Sequence, residues 1–233
     1  MSEFETNAES TPPADATASG PGFAAATQPS YAHTLFFGPD GLRPGWGFAF
    51  YLTSFYLLQR VVVDFAASKD LGASGLWSMM LMEVGDLVSA IVPAVILARV
   101  EGRPWKVFGL PGRQAFGRLF WIGAVWGFIG ISLLMFALYR LHAFAFGHVM
   151  LHGARLVRFA VFWAVMFLLV GLFEEFLLRG YTQFTLARGI GFWPAAVVTS
   201  CLFGLVHLQN GGEQSIGLLA AAFIGFFLSL IHI

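Results

Sequence analysis

Six long apolar segments follow one another along this chain, and they constrain its fold more than any other feature. Each is close to, or longer than, the ~20 residues that a helix needs to cross a membrane's hydrocarbon. Only 11% of the 233 residues are charged and the mean hydropathy is +0.74, whereas a soluble domain is about a quarter charged. The sequence therefore predicts an all-α polytopic transmembrane bundle of about six spans, near 44–65, 77–98, 119–139, 157–187, 192–209 and 215–233.

The N-terminal segment has a different composition. Residues 1–42 are rich in Ala, Ser, Thr and Pro and begin with a polar stretch without apolar periodicity, which predicts a disordered tail before a transmembrane domain at 43–233. The formal net charge is zero, so there is no electrostatic case for a nucleic-acid partner. Orientation follows from five basic residues between the second and third segments, which predict a cytoplasmic loop and, with six spans, a cytoplasmic N-terminus: Arg99, Arg103, Lys106, Arg113 and Arg118.

Two adjacent acids follow a long uncharged apolar run. Glu174 and Glu175 follow "FAVFWAVMFLLVG", and Arg179 comes four residues after Glu175. An acid at the centre of a membrane helix costs roughly 2.5–3.5 kcal/mol. The pair therefore either lies at a helix end among the headgroups, with Glu175 bonded to Arg179, or faces a polar cavity inside the bundle.

Helix geometry favours the cavity. The helix can continue to the glycines at 189–191, and the next helix begins beside Pro194, so the two form a hairpin. Glu174 lies 14 residues before Arg188, and His207 lies 15 residues after Phe192. At 1.5 Å per residue, both are about 21–23 Å from the turn. Glu174 and His207 are therefore predicted to lie at the same depth, which favours a functional site.

A carboxylate and an imidazole in a partly buried cavity can activate water. A desolvated carboxylate can accept a proton from water. The imidazole can orient that water directly, or hold a divalent metal such as zinc that does so. If Glu175 pairs with Arg179, Glu174 is left free to act as the base.

At these residues the sequence resembles the CPBP group of intramembrane proteases, which includes the type II CAAX prenyl endopeptidases and bacterial relatives. The first motif of that family, two glutamates then x-x-x-Arg, appears as Glu174, Glu175 and Arg179. The second, Phe-x-x-x-His, appears as Phe203 and His207. The similarity covers about 155–227. It implies an integral protein of a bacterial inner membrane that hydrolyses peptide bonds of membrane-associated substrates.

The resemblance also implies roles for these residues. Glu174 would be the water-activating base, and His207 its partner; together they would be the ligands of any metal. Glu175 and Arg179 would shape the site. Phe203 would pack it, and Asn210, in the family-like context "FGLVHLQNGGE", would support it.

The end of the chain departs from the family pattern. A further family motif, a His followed a turn later by Asn or Asp, is missing before the sequence stops at "FIGFFLSLIHI". The last six residues are what CTG TCT CTT ATA CAC ATC encodes, the inverted end of a widely used sequencing transposon. We expect residues 228–233 to be adaptor read-through and this chain to be an incomplete and inactive fragment of a protease.

Motifs of other protease classes are absent or incomplete in this sequence. No His-Glu-x-x-His or Gly-x-Gly-Asp occurs; Ser74 in "GASG" would suit a rhomboid-like nucleophile, but bulky and acidic residues follow it. His148 and His152 have metal-ligand spacing but are better explained as interfacial residues. Glu83 and Asp86 either line the same cavity or lie near the headgroups. A non-catalytic peptide-binding, immunity or scaffolding protein is the main alternative to an enzyme.

Overall fold

Helices make up most of the structure. The computed structural model describes residues 30–39, 41–68, 75–108, 115–209 and 215–231. The helices are α1 (Tyr31–Phe36), α2 (Pro44–Ser68), α3 (Leu76–Val100), α4 (Arg118–Arg140), α5 (Gly153–Glu175), α6 (Gln183–Ile190), α7 (Phe192–Val206) and α8 (Ser215–Ile231). A π-helical turn (Phe176–Thr182) joins α5 to α6, and 3-10 turns occupy Trp105–Phe108 and His207–Gln209. This confirms the predicted all-α membrane bundle.

Three stretches of helix are long and apolar enough to cross a membrane: Leu76–Val100, Arg118–Arg140 and the continuous helix Gly153–Ile190. Apolar helices α7 and α8 have 15 and 17 residues, which is below the ~20 that a perpendicular crossing needs. Helix α2 has 25 residues but does not belong to this apolar group, because Arg60 and Asp64 interrupt it and pair with each other at 3.0 Å.

The predicted tail at 1–42 extends too far. Residues 1–29 lie outside the described part, but residues 30–42, apart from 40, form α1 and a two-stranded antiparallel hairpin, β1 (Phe37–Gly38) and β2 (Gly41–Leu42). Ser30 caps α1 by accepting a hydrogen bond from the His33 amide. Phe36 then packs against Trp46 of α2, with ring centroids 4.8 Å apart. These aromatic contacts order residues 30–39 and 41–42. The composition of 1–42 did not reveal this, because it is dominated by the polar residues that precede the segment.

The longest helix changes its winding where the acidic motif ends. The helix from Gly153 to Ile190 is kinked at Gly180; the turn around the kink, Phe176–Thr182, is wound as a π-helix, and all seven of its residues are buried. Gly180 departs from helical angles there, and a Cβ on it would come 2.9 Å from the carbonyl oxygen of Phe108. π-Turns inside α-helices occur frequently at functional sites. The sequence predicted the continuous helix but not this turn.

The buried core surrounds the π-turn. Three alanines at four-residue spacing, Ala90, Ala94 and Ala98, give α3 a smooth face on that side. Tyr51 of α2 fits there: its hydroxyl donates to the Ala90 carbonyl at 3.1 Å, and its ring lies 4.8 Å from that of Tyr181. Helices α2 and α3 therefore hold the π-turn in place from one side.

A buried ionic network anchors the end of α3 to the same helix. The Glu101 side chain is 1% exposed. It accepts a hydrogen bond from the Tyr181 hydroxyl at 2.6 Å and lies 3.1 Å from the Arg103 Nε and 3.6 Å from the Arg188 guanidinium. Because a buried carboxylate is stable only when it is paired and hydrogen-bonded, this network fixes α3 against the π-turn and α6.

Helices α7 and α8 pack closely, whereas α4 lies at the periphery. A Cβ on Gly204 would come 2.9 Å from the Leu218 carbonyl oxygen of α8. No residue of α4 is buried, and no other described residue lies within 4 Å of a Cβ placed on Gly123 or Gly127. The close helix approach that this glycine pair suggests is therefore not made within the described chain.

Candidate functional site

The two motifs meet because of a helix hairpin. Gly191 ends the long helix with φ 84°, a left-handed conformation that glycine adopts without steric cost. Its amide donates to the Ala187 carbonyl, and α7 starts at the next residue. Glu174 and Glu175 are the last two residues of α5, and His207 is the first residue after α7. The turn thus lies where the sequence predicted it, near Ile190.

Arg179 ties together three helices around the site. Its guanidinium bonds to the Glu175 carboxylate at 2.5 Å and donates to the Gly225 carbonyl of α8 at 3.1 Å. The same group stacks over the Phe203 ring of α7, 5.3 Å from its centroid, which is a cation–π contact. The Arg179 side chain is only 2% exposed. It therefore fixes Glu175 and the neighbouring helices in one arrangement.

His207 is oriented by its own helix. Its Nδ1 lies 2.8 Å from the Phe203 carbonyl oxygen, and its ring meets the Phe203 ring edge-on with centroids 4.6 Å apart. A carbonyl oxygen can only accept a hydrogen bond, so Nδ1 carries the proton and Nε2 of the neutral ring has a free lone pair. Phe203, which is 7% exposed, thus positions the imidazole through both its carbonyl and its ring.

Glu174 lies among charged groups from several helices. Its carboxylate interacts electrostatically with His207, Arg179 and Glu175. It also interacts with Glu83 of α3, which in turn interacts with Asp86. Among the described residues, no hydrogen bond or ion pair joins Glu174 directly to His207.

Glu83 and Asp86 belong to the same polar cluster as Glu174, an alternative that the sequence left open. The Asp86 carboxylate interacts with the Gln59 side chain of α2. In the sequence, the i, i+3 spacing of the two acids was the only signal. The packing of α3 against α5 shows that Glu83 lies near Glu174.

A cavity of about 440 Å³ reaches the Glu175–Arg179 pair from the side of α4. Its apolar wall consists mainly of aromatic and aliphatic side chains, including Phe108, Phe116, Leu119 and Phe120. This volume is within the ~300–1,000 Å³ typical of ligand pockets. Glu174 does not line the cavity, because it lies about 100° around the helix from Glu175.

Other predicted residues lie away from this cluster or outside the described part. Asn210 and Ser74 lie outside the described residues, as do residues 232–233. His148 and His152 are exposed in the segment that precedes α5. Cys201 is also exposed.

The described side chains do not form a complete metal site. A catalytic zinc is usually held by three protein ligands, and in the described residues no group of three His, Cys, Asp or Glu could hold a metal ion. The predicted metal ligands, Glu174 and His207, provide two.

Together, membrane-type helices and a half-buried acid–imidazole cluster define the class: an integral membrane protein with a polar site between its helices. The comparison with known families gives a more specific assignment than the fold does. Residues 156–233, the last third of the chain, match the family model described as Type II CAAX prenyl endopeptidase Rce1-like, and both motifs fall inside the match. This match confirms the resemblance of the last third of the chain to CPBP intramembrane proteases. No curated protein and no solved structure matches the chain.

Proposed function

We propose that the protein is an intramembrane endopeptidase that hydrolyses peptide bonds of membrane-associated substrates with water activated by Glu174 and His207. The placement of these two side chains at the ends of α5 and α7 is the observation that carries the proposal, since it brings them close enough to interact electrostatically. The family match to residues 156–233 supports it. The protein would act from the inner membrane of a bacterium, with its N-terminus in the cytoplasm.

The arrangement suits activation of one water molecule. With Nδ1 of His207 bonded to the Phe203 carbonyl, both Nε2 and the Glu174 carboxylate can only accept hydrogen bonds. A water between them would donate one O–H to each and present its lone pairs to a peptide carbonyl. As the oxygen attacks the carbonyl carbon, Glu174 takes the proton, then passes it to the leaving amine when the C–N bond breaks.

The remaining residues position this pair. The bond between Arg179 and Glu175 holds the second acid away from the water, so that only Glu174 acts as a base. The cavity beside Glu175 has an aromatic wall that suits an apolar side chain of the substrate. Glu83, which interacts with Glu174, adds a further acid to the polar cluster around this pair.

The proposal is tested by substituting Glu174→Gln and His207→Ala in the product of the complete gene. Newly formed protein N-termini are compared by N-terminal proteomics of membranes that contain each variant. We expect a set of N-termini that the parent produces and both variants lose. Asp64→Asn and His148→Ala are matched controls, because both residues are exposed and lie outside the cluster.

A non-catalytic binding protein predicts a different outcome. Its folded variants would give the same N-termini as the parent and as a membrane that lacks the protein. Membrane insertion of each variant is checked by extraction and by protein level, so that loss of folding is not mistaken for loss of activity. Identical N-termini in the parent and in well-inserted Glu174→Gln would refute the enzyme.

A further inference from the structure

A second, larger cavity lies at the opposite end of α5 from the acidic motif. It has a volume of about 860 Å³ and is formed between the first turns of α3 and the first half of α5. Its wall is almost wholly apolar and includes Leu76, Trp77, Met80, Phe159, Phe162 and Val165. No residue of the candidate functional site lines it. A crevice of this size and polarity is suited to a hydrocarbon chain.

Two arginines give this crevice a positive mouth. Arg155 and Arg158 both line it, three residues apart on α5, and both are exposed. Neither forms an ion pair with another described residue, whereas Arg60, Arg103 and Arg179 each pair with a carboxylate. The sequence contains no Asp or Glu between residues 141 and 173. The local charge is therefore uncompensated and complements an anion.

The arginines and the deeper part of the apolar wall lie at different depths. Arg155 and Arg158 are the third and sixth residues of α5, and Trp77 is the second residue of α3. All three are therefore within about 9 Å of a helix start. Both helices are long and apolar enough to span a membrane, so these residues lie at headgroup level, where Trp and Arg are common. Val165 lies about 18 Å along α5, at hydrocarbon depth.

We propose that this crevice binds an anionic phospholipid of the surrounding membrane. The headgroup phosphate lies between the Arg155 and Arg158 guanidinium groups, which can each form paired N–H···O bonds to it. One acyl chain follows Phe159, Phe162 and Val165 into the bundle. Basic pockets between membrane helices bind anionic lipids through the same chemistry. The two uncompensated charges give preference to a lipid with net negative charge over a zwitterionic one.

Native mass spectrometry of the delipidated, detergent-solubilised protein tests this proposal. The protein is titrated with dioleoylphosphatidylglycerol or dioleoylphosphatidylcholine, and the fraction with one bound lipid is measured. We expect the anionic lipid to bind more tightly. In Arg155→Gln/Arg158→Gln its affinity should fall about 25-fold, or fivefold for each arginine, because one basic side chain contributes ~1 kcal/mol at an anionic surface. Binding of the zwitterionic lipid should change little.

Two further variants separate the crevice from general surface charge. Arg140→Gln removes an exposed arginine at the end of α4 that does not line the crevice, and it should leave binding unchanged. Val165→Trp fills the apolar part without altering charge, and it should weaken binding of the anionic lipid. Inorganic phosphate should not displace the lipid at equal concentration. Equal affinity of the parent for both lipids, or an equal effect of Arg140→Gln, would overturn the proposal.

Discussion

Replacing Arg179 with Met removes the cation that joins three helices while keeping most of its apolar volume. The side chain is 2% exposed, and it bonds to Glu175 at 2.5 Å and to the Gly225 carbonyl at 3.1 Å. Removing one partner of a buried ion pair costs ~3–5 kcal/mol because a charge remains buried without compensation. Since the Glu175 side chain is 35% exposed, water can solvate part of that charge. We therefore expect a loss at the lower end, about 3 kcal/mol.

A double-mutant cycle separates the ion pair from other effects of the substitution. In Arg179→Met/Glu175→Gln the orphaned charge is absent, so the double variant should be more stable than the sum of the two single losses predicts, by ~1–3 kcal/mol. Stability is measured in mixed micelles of dodecyl maltoside and sodium dodecyl sulfate, through the fluorescence of the seven tryptophans. Arg140→Met is the control, and we expect it to change stability by less than about 0.5 kcal/mol.

Two results would refute this reasoning. A loss below about 1 kcal/mol for Arg179→Met would mean that the pair behaves like a solvent-exposed one. Strictly additive losses would mean that Arg179 and Glu175 do not interact in the folded protein.

The packing and the donor set give two further predictions. Gly204→Ala places a Cβ 2.9 Å from the Leu218 carbonyl, whereas at Gly171 a Cβ meets no described atom within 4 Å. In the same unfolding assay, Gly204→Ala should lower stability by ~1–3 kcal/mol, and Gly171→Ala should raise it by ~0.5–1 kcal/mol; equal effects would contradict the close packing of α7 on α8. Metal analysis of the purified 233-residue chain should find well below one zinc per chain, because its acid and imidazole provide two of the three protein ligands that a catalytic zinc usually has. One zinc per chain that is lost in both site variants would instead show a metal enzyme.

The spans could be predicted closely because hydropathy alone determines where a membrane helix can run. The predicted segments 77–98 and 119–139 correspond to Leu76–Val100 and Arg118–Arg140. Charges at both ends of the second of these mark its limits. The hairpin could be predicted equally well, because glycine at 191 allows the positive φ observed there and Pro194 favours a helix start. From these two facts the common depth of Glu174 and His207 follows.

Other features had no signal in the sequence. The π-turn at Phe176–Thr182 contains the same residue types as an α-helix, and it is specified by burial against α2, α3 and the segment that ends at Phe108. The place of Glu83 beside Glu174 depends on how α3 packs on α5. Both are consequences of tertiary contacts. They depend on contacts between residues that are far apart in the chain, and local sequence patterns do not predict such contacts.

The most direct test is a kinetic cycle on one cleaved substrate, with Glu174→Gln, His207→Ala and the double variant of the complete gene product. If the carboxylate and the imidazole act on the same water molecule, each single variant loses nearly all activity. The double variant should then be no slower than the worse single variant. Multiplicative losses, or a folded single variant that keeps the parental rate constant, would show that the two side chains do not work as one unit.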